Sequence, residues 1–217
     1  MEINKYIDHT NLKNNAIKDD IKKLCEEAIK YSFKSVCVYP YYVSYASQLL
    51  KDSDVLVCTV IGFPSGMSTT ETKVFETRDA ISNGADEIDM VINISALKNI
   101  EYNYVKKEIE SIKKVVSKKV LKVIIETCLL SSEEIIKITQ ICNEVGVDFI
   151  KTSTGFSIYG ARIEDVELIN DFKKDNIKIK ASGGIKTYND AIDMINAGAG
   201  RIGTSSSINI INENKKS

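Results

Sequence analysis

Apolar segments of strand length recur along this chain, and each is followed by a segment that permits or shows helical periodicity. That alternation constrains the fold more than any other feature. The strand-like runs fall at 6–11, 35–39, 55–61, 87–93, 121–126, 148–152, 177–181 and 201–204; most are rich in Val and Ile and bounded by Gly, Pro, Ser or Thr. Between them, 19–31 carries Ile21, Leu24, Cys25, Ala28 and Ile29 at helical spacing, and 104–116 does the same with Val105, Ile109, Ile112 and Val116. Ser131, followed by Glu133 and Glu134, reads as a helix cap with acids in the first turn. Gly84, Gly146 and Gly198 stand where helices should stop, ahead of the next strand. Strands alternating with helices imply a parallel sheet, and about eight such units close into a barrel. The 217 residues, 43% hydrophobic, can fill one such core, and no linker or low-complexity segment divides them. The expectation is an α/β fold: one TIM-type (β/α)8 barrel domain over residues 1–217, opened by a short N-terminal helical segment. The competitor is an open doubly wound sheet, but no G-x-G-x-x-G follows the first strand.

Charge and cysteine content narrow the setting. The formal net charge of −1 offers no basic surface for nucleic acid, and no apolar run reaches the roughly 18 residues of a membrane span. The five cysteines are odd in number and none shows C-x-x-C spacing, so neither a disulfide framework nor a zinc site is signalled. Residues 1–5 hold no hydrophobic signal core, which points to a reducing cytoplasm.

In a parallel barrel the chemistry gathers at the C-terminal ends of the strands. Asp8, Cys37, Asp89, Glu126, Lys151, Lys180 and Ser205 fall there. Two consecutive runs end alike: Lys151-Thr152-Ser153-Thr154-Gly155 and Lys180-Ala181-Ser182-Gly183-Gly184. A lysine beside a second cation and away from bulk water can lose its proton near neutral pH, and a neutral amine attacks a carbonyl to form a Schiff base. Lys151 is the candidate nucleophile and Lys180 the neighbouring cation. Either lysine alone also fits an ordinary strand-end charge in a lysine-rich chain; the matched contexts favour chemistry.

Asp89, set among hydrophobes, can shuttle a proton or pair with a lysine, and Asp8 can extend the relay or serve as a turn or cap residue. Glu87 and Lys178 share the parity of these residues but lie nearer the strand starts, where pairing inside the barrel and solvent exposure both remain open. Gly155, Gly183, Gly184, Gly203, Ser205 and Ser206 form a candidate phosphate cradle. Glycines let backbone N–H groups approach an oxyanion, and barrels often bind phosphate with their last two loops and a helix N-terminus. His9, the only histidine, reads as a structural or surface residue rather than a catalyst, and Cys37 reads as a packed thiol open to alkylation if it faces the pocket.

Several ordered motifs together resemble the 2-deoxyribose-5-phosphate aldolase family over essentially the full chain. They include Tyr6-Ile7-Asp8-His9-Thr10, Val36-Cys37-Val38-Tyr39-Pro40, Thr59-Val60-Ile61-Gly62-Phe63-Pro64 and Asp86-Glu87-Ile88-Asp89-Met90-Val91-Ile92-Asn93, with the two lysine motifs and Arg201-Ile202-Gly203-Thr204-Ser205. The resemblance implies a class I aldolase that reversibly cleaves 2-deoxy-D-ribose 5-phosphate to D-glyceraldehyde 3-phosphate and acetaldehyde, in deoxynucleoside catabolism. It implies imine formation at Lys151, activation by Lys180 and proton transfer through Asp89. It implies no metal or cofactor, since the iminium is the electron sink, and a homo-oligomer, dimer or tetramer. The rivals are a phosphate-binding barrel isomerase or synthase that uses the lysines electrostatically, and a phosphosugar-binding regulator without catalysis. Three departures from the family pattern stand out. They are Ser95 where many relatives have Gly, Arg162 where many have Thr, and a polar tail at 208–217 with no terminal tyrosine.

Overall fold

Each expected strand forms, with ends displaced by at most a few residues. The computed structural model describes residues 2–214. After a 3-10 turn at Ile3–Tyr6, the expected N-terminal helical segment, the chain runs β1 (Ile7–Asn11), α1 (Lys18–Tyr31), β2 (Ser35–Val38), α2 (Val43–Leu50), β3 (Leu56–Ile61), α3 (Thr70–Ser82) and β4 (Glu87–Val91). It continues with α4 (Ile94–Lys98), α5 (Tyr102–Val116), β5 (Val120–Ile124), α6 (Ser132–Val145), β6 (Phe149–Lys151) and α7 (Ile163–Phe172). The last elements are β7 (Lys178–Ser182), α8 (Tyr188–Asn196), β8 (Ala199–Thr204) and α9 (Ser207–Asn214). The strands pair in chain order, all parallel, and β8 returns to β1, so the sheet is a closed (β/α)8 barrel. The last three residues of the 208–217 tail lie outside the described residues.

The expected helix signals act where they were read. Ser131 and Glu134 form a reciprocal capping box at the start of α6, and Gly146 ends that helix in the left-handed conformation. The buried stripes of α1 (Ile21, Leu24, Cys25, Ala28) and α5 (Val105, Ile109, Ile112, Val116) face the strands. Each fully buried Val, Ile or Leu contributes roughly 1.5–3 kcal/mol. Two strands end earlier than their apolar runs suggest. Asn93 leaves β4 because its side chain accepts the Ala96 N–H and caps α4. Glu126 leaves β5 because its backbone is left-handed, with φ of 54°.

The helix-facing side of the sheet is apolar, with Ile88, Met90, Leu121, Val123, Ile150, Ile179 and Ile202 all buried. The interior is unusual. Register partners project to the same side of a sheet. Asp89 pairs with Lys122, Lys151 with Lys180, and Lys180 with Arg201. The barrel therefore encloses a ring of charges rather than the stacked aliphatic layers common in this architecture.

Candidate active site

Lys151 and Lys180, ending β6 and lying within β7, are side by side because they are register partners. Their Nζ atoms converge on one oxygen. Asp89 Oδ2 accepts from Lys151 at 2.9 Å and from Lys180 at 2.7 Å. The three residues expected to carry the chemistry thus meet at a single atom. Asp8 joins them from β1, its Oδ2 lying 2.6 Å from Lys180 Nζ. Asp8 is therefore neither a cap nor a turn residue but a strand residue aimed into the barrel.

Two further bases, not singled out in the sequence, complete the network. Lys122 donates to Asp89 Oδ1 at 2.8 Å and lies 2.6 Å from Glu87. Arg201 donates to Asp8 at 2.6 Å and to Glu87 at 3.0 Å. Glu87 therefore pairs inside the barrel, whereas Lys178 is exposed. Lys122 carried a readable signal: in Val120-Leu121-Lys122-Val123-Ile124 it is the one charge in an apolar strand. Burial alone would raise the pKa of Asp89, but the charges of Lys122, Lys151 and Lys180 hold it well below the usual carboxylate range. Asp8 is likewise lowered against burial, by Lys180, Arg201 and Lys122. Burial would lower the Lys180 pKa, yet Asp8 and Asp89 raise it, so this lysine is a lasting cation. Four bases face three acids, so one base can be neutral without leaving a buried carboxylate unpaired. Lys151 is the one that lines the open cavity.

That cavity, about 580 Å³, is also lined by Gly155, Gly183, Gly184, Gly203, Ser205 and Ser206, which are all of the expected phosphate residues. Gly155, Gly183 and Gly184 adopt positive φ, which turns backbone N–H groups in a way side-chain-bearing residues resist. Gly203 has a different reason: a Cβ there would lie 2.9 Å from Lys180 Cε, so glycine leaves room for the stem of Lys180. Gly160, not anticipated, backs the cradle. An added Cβ would sit 2.1 Å from the Gly183 carbonyl oxygen, and Ala161 N–H bonds to the Ser182 and Gly183 carbonyls. Gly160→Ala should displace Gly183 and raise KM for a phosphosugar by up to about 10²-fold. Acetaldehyde trapping at Lys151 should be unchanged; steady-state kinetics beside a trapping assay would show this, and an unchanged KM would refute it.

A family model described as DeoC/LacD family aldolase matches residues 3–213. The chain belongs to this aldolase family. It is 55% identical over 216 residues to the deoxyribose-phosphate aldolase of Clostridium tetani, covering 99% of this chain and 100% of the relative. Among solved structures it resembles a protein described as QR15, an aldolase (TM-score 0.95, 45% identity, 99% and 96% of the two chains). It also resembles the tetrameric deoxyribose phosphate aldolase of Aeropyrum pernix (TM-score 0.92, 32% identity, 98% and 91%).

Other residues of this family member bind the site to its frame. Glu126, buried and strained into the left-handed region, accepts the Thr154 N–H at 3.2 Å and the Thr154 hydroxyl. It thereby fixes the loop that leads from Lys151 to Gly155. His9 is buried rather than a surface residue: its ring joins Glu27 of α1 at 3.0 Å to Ser207 of α9 at 2.9 Å, and it also lines the cavity. Burial lowers its pKa against the pull of Glu27. Of the departures, Arg162 precedes α7, stacks on Tyr159 at 3.5 Å and lines a smaller pocket behind Gly183–Gly184. Ser95 is exposed on α4. Neither lines the main cavity. No helix among the described residues is long and apolar enough to cross a membrane.

Proposed function

We propose that the chain, as one domain over 1–217, is a class I deoxyribose-phosphate aldolase whose Schiff base forms on Lys151. The observation that carries this is the convergence of Lys151 and Lys180 on Asp89 Oδ2 at the floor of the glycine-lined cavity. Neutral Lys151 Nζ attacks C1 of the open-chain 2-deoxy-D-ribose 5-phosphate, and loss of water gives a protonated imine. A base takes the C3 hydroxyl proton, the C2–C3 bond breaks, and its electrons flow to the iminium nitrogen as an enamine. D-Glyceraldehyde 3-phosphate leaves; protonation and hydrolysis of the enamine release acetaldehyde.

Lys180 is the cation beside Lys151, held charged at rest by Asp8 and Asp89. Asp89 orients both amines and, through the oxygen they share, passes a proton between them. Its low proton affinity makes it a relay and an orienting group rather than a strong base. Asp8 keeps Lys180 in place. The loops at Gly155, Gly183–Gly184 and Gly203–Ser206 bind the phosphate, helped by the N-terminus of α9 and by Lys186 at the cavity edge. No metal or cofactor enters the scheme.

The tetrameric Aeropyrum relative supports a homo-oligomer, and the family's place in deoxynucleoside catabolism supports a cytoplasmic setting. The test is mass spectrometry of protein mixed with acetaldehyde and sodium borohydride, followed by peptide mapping. A two-carbon adduct on Lys151 is expected. A folded protein without a selective adduct would shift the reading to an isomerase, a synthase or a phosphosugar-binding protein.

A further inference from the structure

The catalytic scheme leaves two thiols unused at the barrel's centre. Cys37 on β2 and Cys58 on β3 are register partners, both fully buried and inward-facing. Their sulfurs and an Asp89 carboxylate oxygen all lie within 4.8 Å of one another. Cys58 Sγ donates to Asp89 Oδ1 at 3.1 Å and receives Lys122 Nζ at 3.3 Å. Leu12 and Val60 pack around the pair, with Tyr39 and Phe63 against them.

The two thiols have unlike surroundings. The neighbouring Cys58 thiol lowers the Cys37 pKa, burial opposes this, and the charge of Lys180 reinforces it. Burial raises Cys58 well above the ordinary thiol range. Of the two, Cys37 is thus the sulfur that gives up its proton more readily. The remaining cysteines lack such a partner arrangement: Cys25 and Cys142 lie on helices with burial raising their pKa, Cys25 to about 12.

We propose that Cys37 and Cys58 are a site of reversible disulfide formation by hydrogen peroxide, and that closing it switches the enzyme off. Cys37 Sγ attacks one peroxide oxygen, the O–O bond breaks, and Cys37 becomes a sulfenic acid as hydroxide leaves. Cys58 Sγ then attacks the Cys37 sulfur; the S–O bond breaks, and the departing oxygen takes up the Cys58 proton. Counting the proton first lost by Cys37, two thiols and one peroxide give one disulfide and two waters, a two-electron exchange.

The strand geometry suits the step. Paired strands lie about 4.8 Å apart, within the roughly 4.4–6.8 Å that separates the Cα atoms of bridged cysteines. The closed sheet therefore presents the pair without rearrangement of strands. The cavity reaches Lys151, Lys151 touches Asp89, and Asp89 touches Cys58, so the buried pair lies two side chains from the substrate space, and peroxide reaches it only as those side chains move. Disulfide formation removes the S–H donor from Asp89 Oδ1 and a partner from Lys122, disturbing the residue on which the two lysines converge.

The experiment treats the full chain with hydrogen peroxide, then reads intact mass, non-reducing peptide maps and turnover. The expected result is loss of two hydrogens, a Cys37–Cys58 cross-linked peptide and a fall in turnover of about ten-fold or more, reversed by dithiothreitol. Cys37→Ser, compared with its own untreated activity, should be insensitive to the same dose. In Cys58→Ala the Cys37 sulfenic acid has no partner, so its loss of activity should proceed to a state dithiothreitol does not reverse. Failure to find the cross-link, or inactivation that persists in Cys37→Ser, would overturn the site. A cross-link with full turnover would overturn the switch alone. The effect on turnover rests on the aldolase reading, whereas the cross-link is read by mass and stands or falls without it.

Discussion

Lys151→Ala is expected to abolish borohydride trapping and to lower turnover by about 10⁴-fold or more, because it removes the atom that forms the covalent intermediate. The barrel should survive the change. Lys151 Nζ is only one of the donors to Asp89, which keeps Lys180 at 2.7 Å on Oδ2 and Lys122 at 2.8 Å on Oδ1. The variant has three bases against three acids and leaves no carboxylate without a cation, so its melting temperature should shift by only a few degrees. Lys151→Arg separates the proposed chemistry from the electrostatic alternative. Arginine keeps the positive charge but forms no imine under these conditions, so it should be as inactive as alanine. Substantial activity in Lys151→Arg would show that the charge suffices, and an adduct on Lys180 in the native protein would reverse the two lysines' roles.

The lysine pair, Asp89 and the cradle were legible because they stand at strand ends, where a charge or a glycine interrupts an apolar pattern and parity gives the side chain's direction. Asp8 was harder to place, since Asp8-His9-Thr10-Asn11 reads equally as a turn; only the pairing of Asp8 with Gly203 and Ser35 shows it inside the barrel. Lys122, Glu87 and Arg201 meet across β4, β5 and β8, and no local pattern says that such distant charges find one another. Gly160 was invisible for the same reason, because its value lies in contact with Gly183 on another loop. Cys58 carries no local signal of its own; the register of β2 on β3 is what sets it beside Cys37. What sequence alone cannot supply is the stagger of strands around a closed barrel.

Asp89→Asn should be costly in a different way, impairing both turnover and folding. The amide keeps the side chain's size and removes its charge, leaving Lys122, Lys151, Lys180 and Arg201 with only Asp8 and Glu87 to balance them. Breaking a buried ion pair by neutralising one partner typically costs about 3–5 kcal/mol, and losing a proton relay typically costs about 10²–10⁴-fold in rate. The pH dependence follows from the same charges. The native pKa values of Asp8 and Asp89 lie below that of an unfolded aspartate, about 3.9, so their stabilisation is complete above roughly pH 4. It is lost as pH falls through the native values, because the unfolded chain takes up protons first. Lys180 is raised above the roughly 10.4 of an unfolded lysine, so its contribution is complete below that pH and is lost only as pH rises through its higher native value. The native protein should therefore show a stability plateau between those limits, as far as this network sets it. Asp89→Asn should lower the plateau, flatten the acid limb and bring the alkaline loss to lower pH, since Lys180 has lost one of its two carboxylates. Urea unfolding followed by circular dichroism across pH measures all three. A variant as stable as the native protein at neutral pH, with an unchanged acid limb, would mean that the three lysines do not depend on Asp89 and that the charge ring is not what organises the site.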